Sequence, residues 1–115
     1  MYRIISAAFV VMAILMTGML SEAQAGDAGK GKLIYAQKCG SCHGKEGKGD
    51  GPFGKNLTPP AANLADPAGT GRKTDAELLE KIAKGGKGTA MPAFKSLSDQ
   101  ERTDVLSYVR TLAGK

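Results

Sequence analysis

Aromatic residues are scarce in this chain: tryptophan is absent, and phenylalanine and tyrosine together make up 5% of 115 residues. The 16 lysines and arginines are spread along the sequence with no compact basic block. Nucleic-acid binding leaves the opposite footprint, a concentrated basic patch with interleaved aromatics, and is excluded. No segment reads as a β-strand, and there is no repeat or low-complexity block. No linker separates two periodic regions, so residues 26–115 form one domain. The single histidine and two cysteines also fall short of the roughly four ligands of a structural zinc site, unless a carboxylate is recruited.

What is present begins with a leader. Arg3 gives a positive start, Ile4 to Leu20 is an almost continuous apolar run, and Ala23-Gln24-Ala25 is a small-x-small cleavage site. Residues 1–25 therefore read as a secretory signal peptide cut before Gly26. The run is slightly long for a signal core and slightly short for a spanning helix, so an uncleaved membrane anchor is the alternative. The overall apolar content of 42% is inflated by this leader. Alanine dominates the apolar set that remains, and glycine, 16 in all, adds entropic cost to folding. A domain of this size is marginal on its own core. The composition predicts a domain that needs a large apolar ligand to fold.

Export takes the chain to the periplasm and constrains its thiols, because free cysteines oxidise outside the cytoplasm. A lone C-x-x-C pair there is a small disulfide, a redox dithiol or a cofactor attachment. The leader carries one basic and one acidic residue, so the net charge of +5 survives its removal. That balance suits docking to an acidic patch on a partner, and equally suits a soluble lysine-rich surface.

Three helices are legible. Asp27 is the expected N-cap of the first, running to about Cys39 with Leu33, Ile34 and Tyr35 apolar and Gly31 as a point of close approach. Thr74-Asp75-Ala76-Glu77 is a capping box opening a second, with Leu78, Leu79 and Ile82 as its apolar stripe and Gly85-Gly86 as its stop. Ser98-Asp99-Gln100-Glu101 is another box, opening a last helix to about Leu112. There Val105, Tyr108, Val109 and Leu112 fall at i, i+3, i+4 and i+7. Ala61 to Thr70 is expected to hold at most a turn of helix. The intervening loops are long, and loops that long usually have something to wrap around.

Cys39-Gly40-Ser41-Cys42-His43 uses both cysteines and the only histidine. The spacing C-x-x-C-H reads as a covalent haem attachment site. A helical turn puts the two sulfurs on one side, within reach of the two vinyl groups on one edge of the ring. His43 follows at once and can supply an axial nitrogen. Its other ring nitrogen then needs a carbonyl acceptor, for which the rigid Pro60 is the first candidate and Pro59 the second. After the leader Met91 is the only methionine, in a Gly-rich loop and not on an apolar stripe, and its thioether is available for the other axial position. A thioredoxin-like dithiol expects a strand before the C-x-x-C helix, and none is visible.

Gly31-x-x-x-Tyr35-x-x-x-Cys39 leading into Cys39-x-x-Cys42-His43-Gly44, the later Met91-Pro92-Ala93-Phe94 and a closing helix with Tyr108 together resemble the class I c-type cytochromes, above all the small exported single-haem bacterial members. The order matters, since in the four-helix class the attachment site lies near the C-terminus. The resemblance spans about residues 27–113. It implies an all-α fold of three or more helices with long loops around one haem c, thioethers to Cys39 and Cys42, His43 and Met91 on the iron, and an exposed haem edge for electron passage. Many members place a tryptophan near the propionates, and this chain has none.

The expected function is that of a soluble, monomeric periplasmic electron carrier between redox proteins, not an enzyme. The alternatives are an electron-accepting subunit of a dehydrogenase or reductase complex, and a haem peroxidase or gas sensor with an open sixth position.

Overall fold

Side-chain caps set where the helices of this computed structural model begin. The structure describes residues 25–114, so the expected leader lies outside the described residues apart from Ala25. Helix α1 spans Ala28–Lys38, and the Asp27 carboxylate accepts from the Lys30 backbone N–H at 3.0 Å. A single turn, α2, covers Gly40–His43. A 3-10 turn at Thr70–Arg72 precedes α3, Asp75–Lys84, and α4, Asp99–Leu112. Both expected capping boxes form. Thr74 and Glu77 exchange bonds of 3.1 and 3.0 Å, and so do Ser98 and Glu101. Each reciprocal pair satisfies two of the orphan N–H groups at a helix start. Among the described residues there is no strand, and no helix is long and apolar enough to cross a membrane.

The first and last helices cross at Gly31. A Cβ there would collide with the Asp104 carbonyl of α4, so only glycine permits this approach. Around the crossing lie Tyr35, 2% exposed, and Val105, 1% exposed. Tyr35 and Tyr108 meet edge to face with ring centroids 5.1 Å apart. Burying each such side chain contributes about 1.5–3 kcal/mol. At the α1 N-terminus, the buried Asp104 carboxylate accepts from the Asp27 N–H at 2.8 Å and from Gln100 Nε2 at 2.9 Å.

Two expectations about the helix faces need correction. Leu33 is 68% exposed and does not join the core, because the α1 face that meets α4 is the narrow one carrying Gly31 and Tyr35. Leu106, outside the i, i+3, i+4, i+7 series, is buried, since α4 is covered on a second side as well. No turn of helix forms within residues 61–69; a 3-10 turn begins only at Thr70 and runs to Arg72. Arg110 anchors it: the guanidinium donates to the Thr70 and Lys73 carbonyls at 3.2 and 2.7 Å and to Asp75 at 2.6 and 3.0 Å.

Candidate functional site

The long loops and the helix faces enclose a cavity of about 340 Å³. Cys39, Cys42 and His43 border it from α2, and Met91 borders it from the loop after α3. Leu78, Ile82, Phe94 and Val109 supply apolar wall. Thus the four residues read from the sequence as ring and iron ligands line a single space, although Cys42 and Met91 are 49 positions apart in the chain.

Local geometry holds α2 in place. The Tyr35 hydroxyl donates to the Gly44 carbonyl at 2.6 Å, and the Gly49 N–H donates to the His43 carbonyl at 2.7 Å. The following loop folds back on the turn, where the Phe53 N–H donates to the Ser41 carbonyl at 3.0 Å. Both thiols are free. Burial pushes the Cys39 thiol up to about 11, and the neighbouring Cys42 adds to the shift. Burial also raises the Tyr35 phenol above its ordinary range, so it stays a neutral donor to Gly44.

His43 Nδ1 lies 3.0 Å from the Ala62 carbonyl oxygen. A carbonyl only accepts, so this pairing assigns the proton to Nδ1 and leaves the lone pair on Nε2. The acceptor is therefore Ala62, not Pro60 or Pro59. Backbone rigidity at the proline ring does not decide the matter. What decides it is which carbonyl the loop turns toward the imidazole, and the loop is held there by the Ala61 N–H to the Gly54 carbonyl at 3.1 Å and the Leu64 N–H to the Gly47 carbonyl at 2.5 Å. Pro59 and Pro60 line the cavity instead.

Met91 is half-buried, and its backbone is fixed at both ends. Its N–H donates to Thr89 Oγ1 at 3.2 Å and its carbonyl accepts from the Gly86 N–H at 3.1 Å. Downstream, Phe94 N–H donates to the Ile82 carbonyl of α3 at 3.0 Å, and Arg102 caps the Phe94 and Leu97 carbonyls. The sequence singles out Met91, which lines the cavity, but neither Thr89 nor Arg102. Their only trace in the sequence is a hydroxyl two residues before the methionine and an arginine in the first turns of the closing helix.

The donor set fits a haem and little else. Two thiols, one imidazole nitrogen with a free lone pair and one soft thioether surround an apolar space. Among the described residues no three His, Cys, Asp or Glu side chains gather as a metal-binding group, so a structural zinc site has no ligand set here.

Known proteins resemble this chain in sequence and fold. The family described as cytochrome c oxidase, cbb3-type, subunit III matches residues 26–109. Cytochrome c-554(547) of Halothiobacillus neapolitanus is 32% identical over 90 residues, covering 76% of this chain and 99% of that protein. A cytochrome c6 from Rippkaea orientalis is 33% identical over 112 residues, covering 95% of this chain and 92% of that protein. Among solved structures, cytochrome c6 from the diatom Phaeodactylum tricornutum is 30% identical, with a TM-score of 0.59 over 77% of this chain and 97% of that one.

Proposed function

Because this chain belongs to the class I c-type cytochromes, we propose that residues 26–115 form a single exported domain in which Cys39 and Cys42 carry one haem c and His43 and Met91 take its two axial positions. It is a small haem c electron carrier. The observation that supports the ligand assignment is the shared apolar cavity bordered by these four side chains.

When bound, the haem supplies an iron that exchanges one electron at a time between ferric and ferrous states. Every other part of the task falls to the protein. Cys39 and Cys42 would fix the ring, so His43 would act as an effectively intramolecular ligand. The Ala62 carbonyl holds the imidazole as the Nδ1–H tautomer and makes Nε2 more electron-rich. Met91 offers a soft thioether, which favours the ferrous state and raises the potential. Leu78, Ile82 and Val109 keep water from the centre, a second lever on the potential.

The docking face we assign is the loop that follows the attachment turn. Phe53 is 70% exposed there, and Lys45, Lys48 and Lys55 of the same loop are exposed too, Lys48 pairing with Glu46 at 3.2 Å. An exposed apolar anchor on a lysine-bearing loop suits a redox partner with an acidic patch, and added salt slows such an encounter. Monomeric, periplasmic action belongs to the same reading. The matched family, named for an oxidase subunit, favours a second one in which the domain works inside a larger complex. Gel filtration of the native protein separates the two, since a carrier elutes alone.

The decisive experiment is an absorption spectrum of protein made in a host that exports and matures cytochromes, taken in both oxidation states. Covalent low-spin haem with a methionine–iron charge-transfer band in the ferric form is expected. Met91→Ala is expected to become high-spin, lose the band and bind carbon monoxide rapidly when reduced. A Met91→Ala protein that stays low-spin with its potential unmoved rules out the Met91 assignment.

A further inference from the structure

We propose that Thr89 is a positioning residue that holds the Met91 thioether toward the iron, its hydroxyl acting as a two-way bridge inside the methionine loop. The hydroxyl donates to the Gly86 carbonyl at 2.7 Å and accepts from the Met91 N–H at 3.2 Å. The Gly86 N–H closes the ring by donating to the Met91 carbonyl at 3.1 Å. One side chain thereby reinforces backbone bonds, among them the Thr89 N–H to the same Gly86 carbonyl at 3.0 Å, in a loop whose glycines give it unusual conformational freedom.

That freedom is the physical reason a clamp matters. Gly85, Gly86 and Gly88 stand between α3 and Met91, and glycine loses more conformational entropy on ordering than any other residue. Gly85 has φ +81, and a Cβ on it would meet the Met91 carbonyl at 2.7 Å, so the glycine cannot be exchanged for a stiffer residue. Gly86 is constrained in a different way: Thr89 Oγ1 sits where its Cβ would project. Gly85 and Gly88 both sit at positive φ, which favours glycine, so stiffness beyond the backbone bonds must come from a side chain, and Thr89 is the one bonded to both sides of the turn. Loosening it leaves the thioether in place on average but raises the fraction of time it is away from the iron.

The inference rests on Met91 being the sixth ligand, and its test separates the two ideas. Thr89→Val keeps the shape and removes the hydroxyl, and Thr89→Ser keeps the hydroxyl. Thr89→Ala provides a second hydroxyl-free variant. Thr111→Val is the control, since Thr111 makes a comparable bond to the Tyr108 carbonyl at 2.6 Å on an exposed part of α4. All are measured as mature holoprotein.

Thr89→Val and Thr89→Ala are expected to bind carbon monoxide about three- to tenfold faster in the reduced form, the change worth the bond lost at the Met91 N–H, since the Gly86 carbonyl keeps the Thr89 N–H. They should also lose the methionine–iron band at a lower temperature than wild type. Thr89→Ser and Thr111→Val should stay within about twofold of wild type. Wild-type carbon monoxide kinetics in both hydroxyl-free variants overturn the clamp, and so does a Thr89→Ser protein as perturbed as Thr89→Val. A wild-type protein that lacks the band, and is unchanged by Met91→Ala, overturns the ligand assignment and the clamp with it.

Discussion

At the scale of single residues, Asp104 has a task unrelated to the cofactor. Its carboxylate is 3% exposed and receives the Asp27 N–H, with Gln100 as a second donor. The Asp27 N–H bond holds its pKa below the ordinary carboxylate range, burial works against that, and Gln100 and nearby Lys30 add to the lowering. A depressed folded-state pKa stabilises the fold above the unfolded value, near 3.9, and that stability fades as pH falls through the folded value. Asp104→Asn keeps an acceptor oxygen and removes the charge. It is expected to cost about 1 kcal/mol at neutral pH, the margin between a charge-assisted and a neutral hydrogen bond. The gap should close below about pH 4, as the wild-type carboxylate is protonated. Thermal unfolding followed by circular dichroism at several pH values checks this, and a gap that is constant with pH refutes it.

Residue identities were legible in the sequence where chemistry allows few choices. An imidazole that occurs once, two thiols at C-x-x-C spacing and one methionine outside the leader leave little to sort. The carbonyl opposite His43 was not legible, because every residue carries one. Nothing in the letters distinguishes Ala62 from Pro60 before the loop is folded. Thr89 was illegible for a related reason: a threonine hydroxyl in a glycine-rich loop has many possible partners, and its role depends on which carbonyl comes within 2.7 Å.

At the scale of elements, α1 carries two glycines with opposite meanings. A Cβ at Gly31 would strike the Asp104 backbone of α4, whereas at Gly29 the nearest atom is Asp27 Oδ1 at 3.2 Å. Replacing either by alanine raises helix propensity by about 1 kcal/mol. At Gly31 the overpacking penalty, about 1–3 kcal/mol, outweighs that gain because backbone must move. Gly31→Ala is therefore expected to be destabilised and Gly29→Ala to be neutral or slightly stabilised, as read by denaturant midpoints of the holoprotein. Equal midpoints for the two variants refute the close crossing. Capping boxes were readable in advance because they are local rules, and Gly31 was readable as a point of close approach, though not which element would meet it. The exposure of Leu33 was not, since α1 turns only a narrow face, with Gly31 and Tyr35 at its centre and Ile34 at its margin, to its neighbour, and hydropathy alone extends that face to Leu33.

At the scale of the whole molecule, the helices touch one another mainly through the crossing of α1 and α4, and the remaining apolar faces look into the cavity. Leu78, Val105, Leu106 and Val109 all border it, so much of the core is complete only when that space is filled. A chain of this length is marginally stable even with a full core. Without a ring to pack against, the cavity-facing sides of these chains lose their contacts, and the loops from Gly44 to Gly69 lose what they enclose. The Cys39→Ala/Cys42→Ala double variant, which cannot form thioethers, should therefore be largely unfolded. Its far-UV helix signal should fall well below that of the holoprotein, with no cooperative thermal transition, and limited proteolysis should cut within α3 and α4 as readily as in the loops. A double variant with native helix content and a sharp transition would mean that the protein core alone sustains the fold, and that the cavity is a preformed container, not an unfinished core.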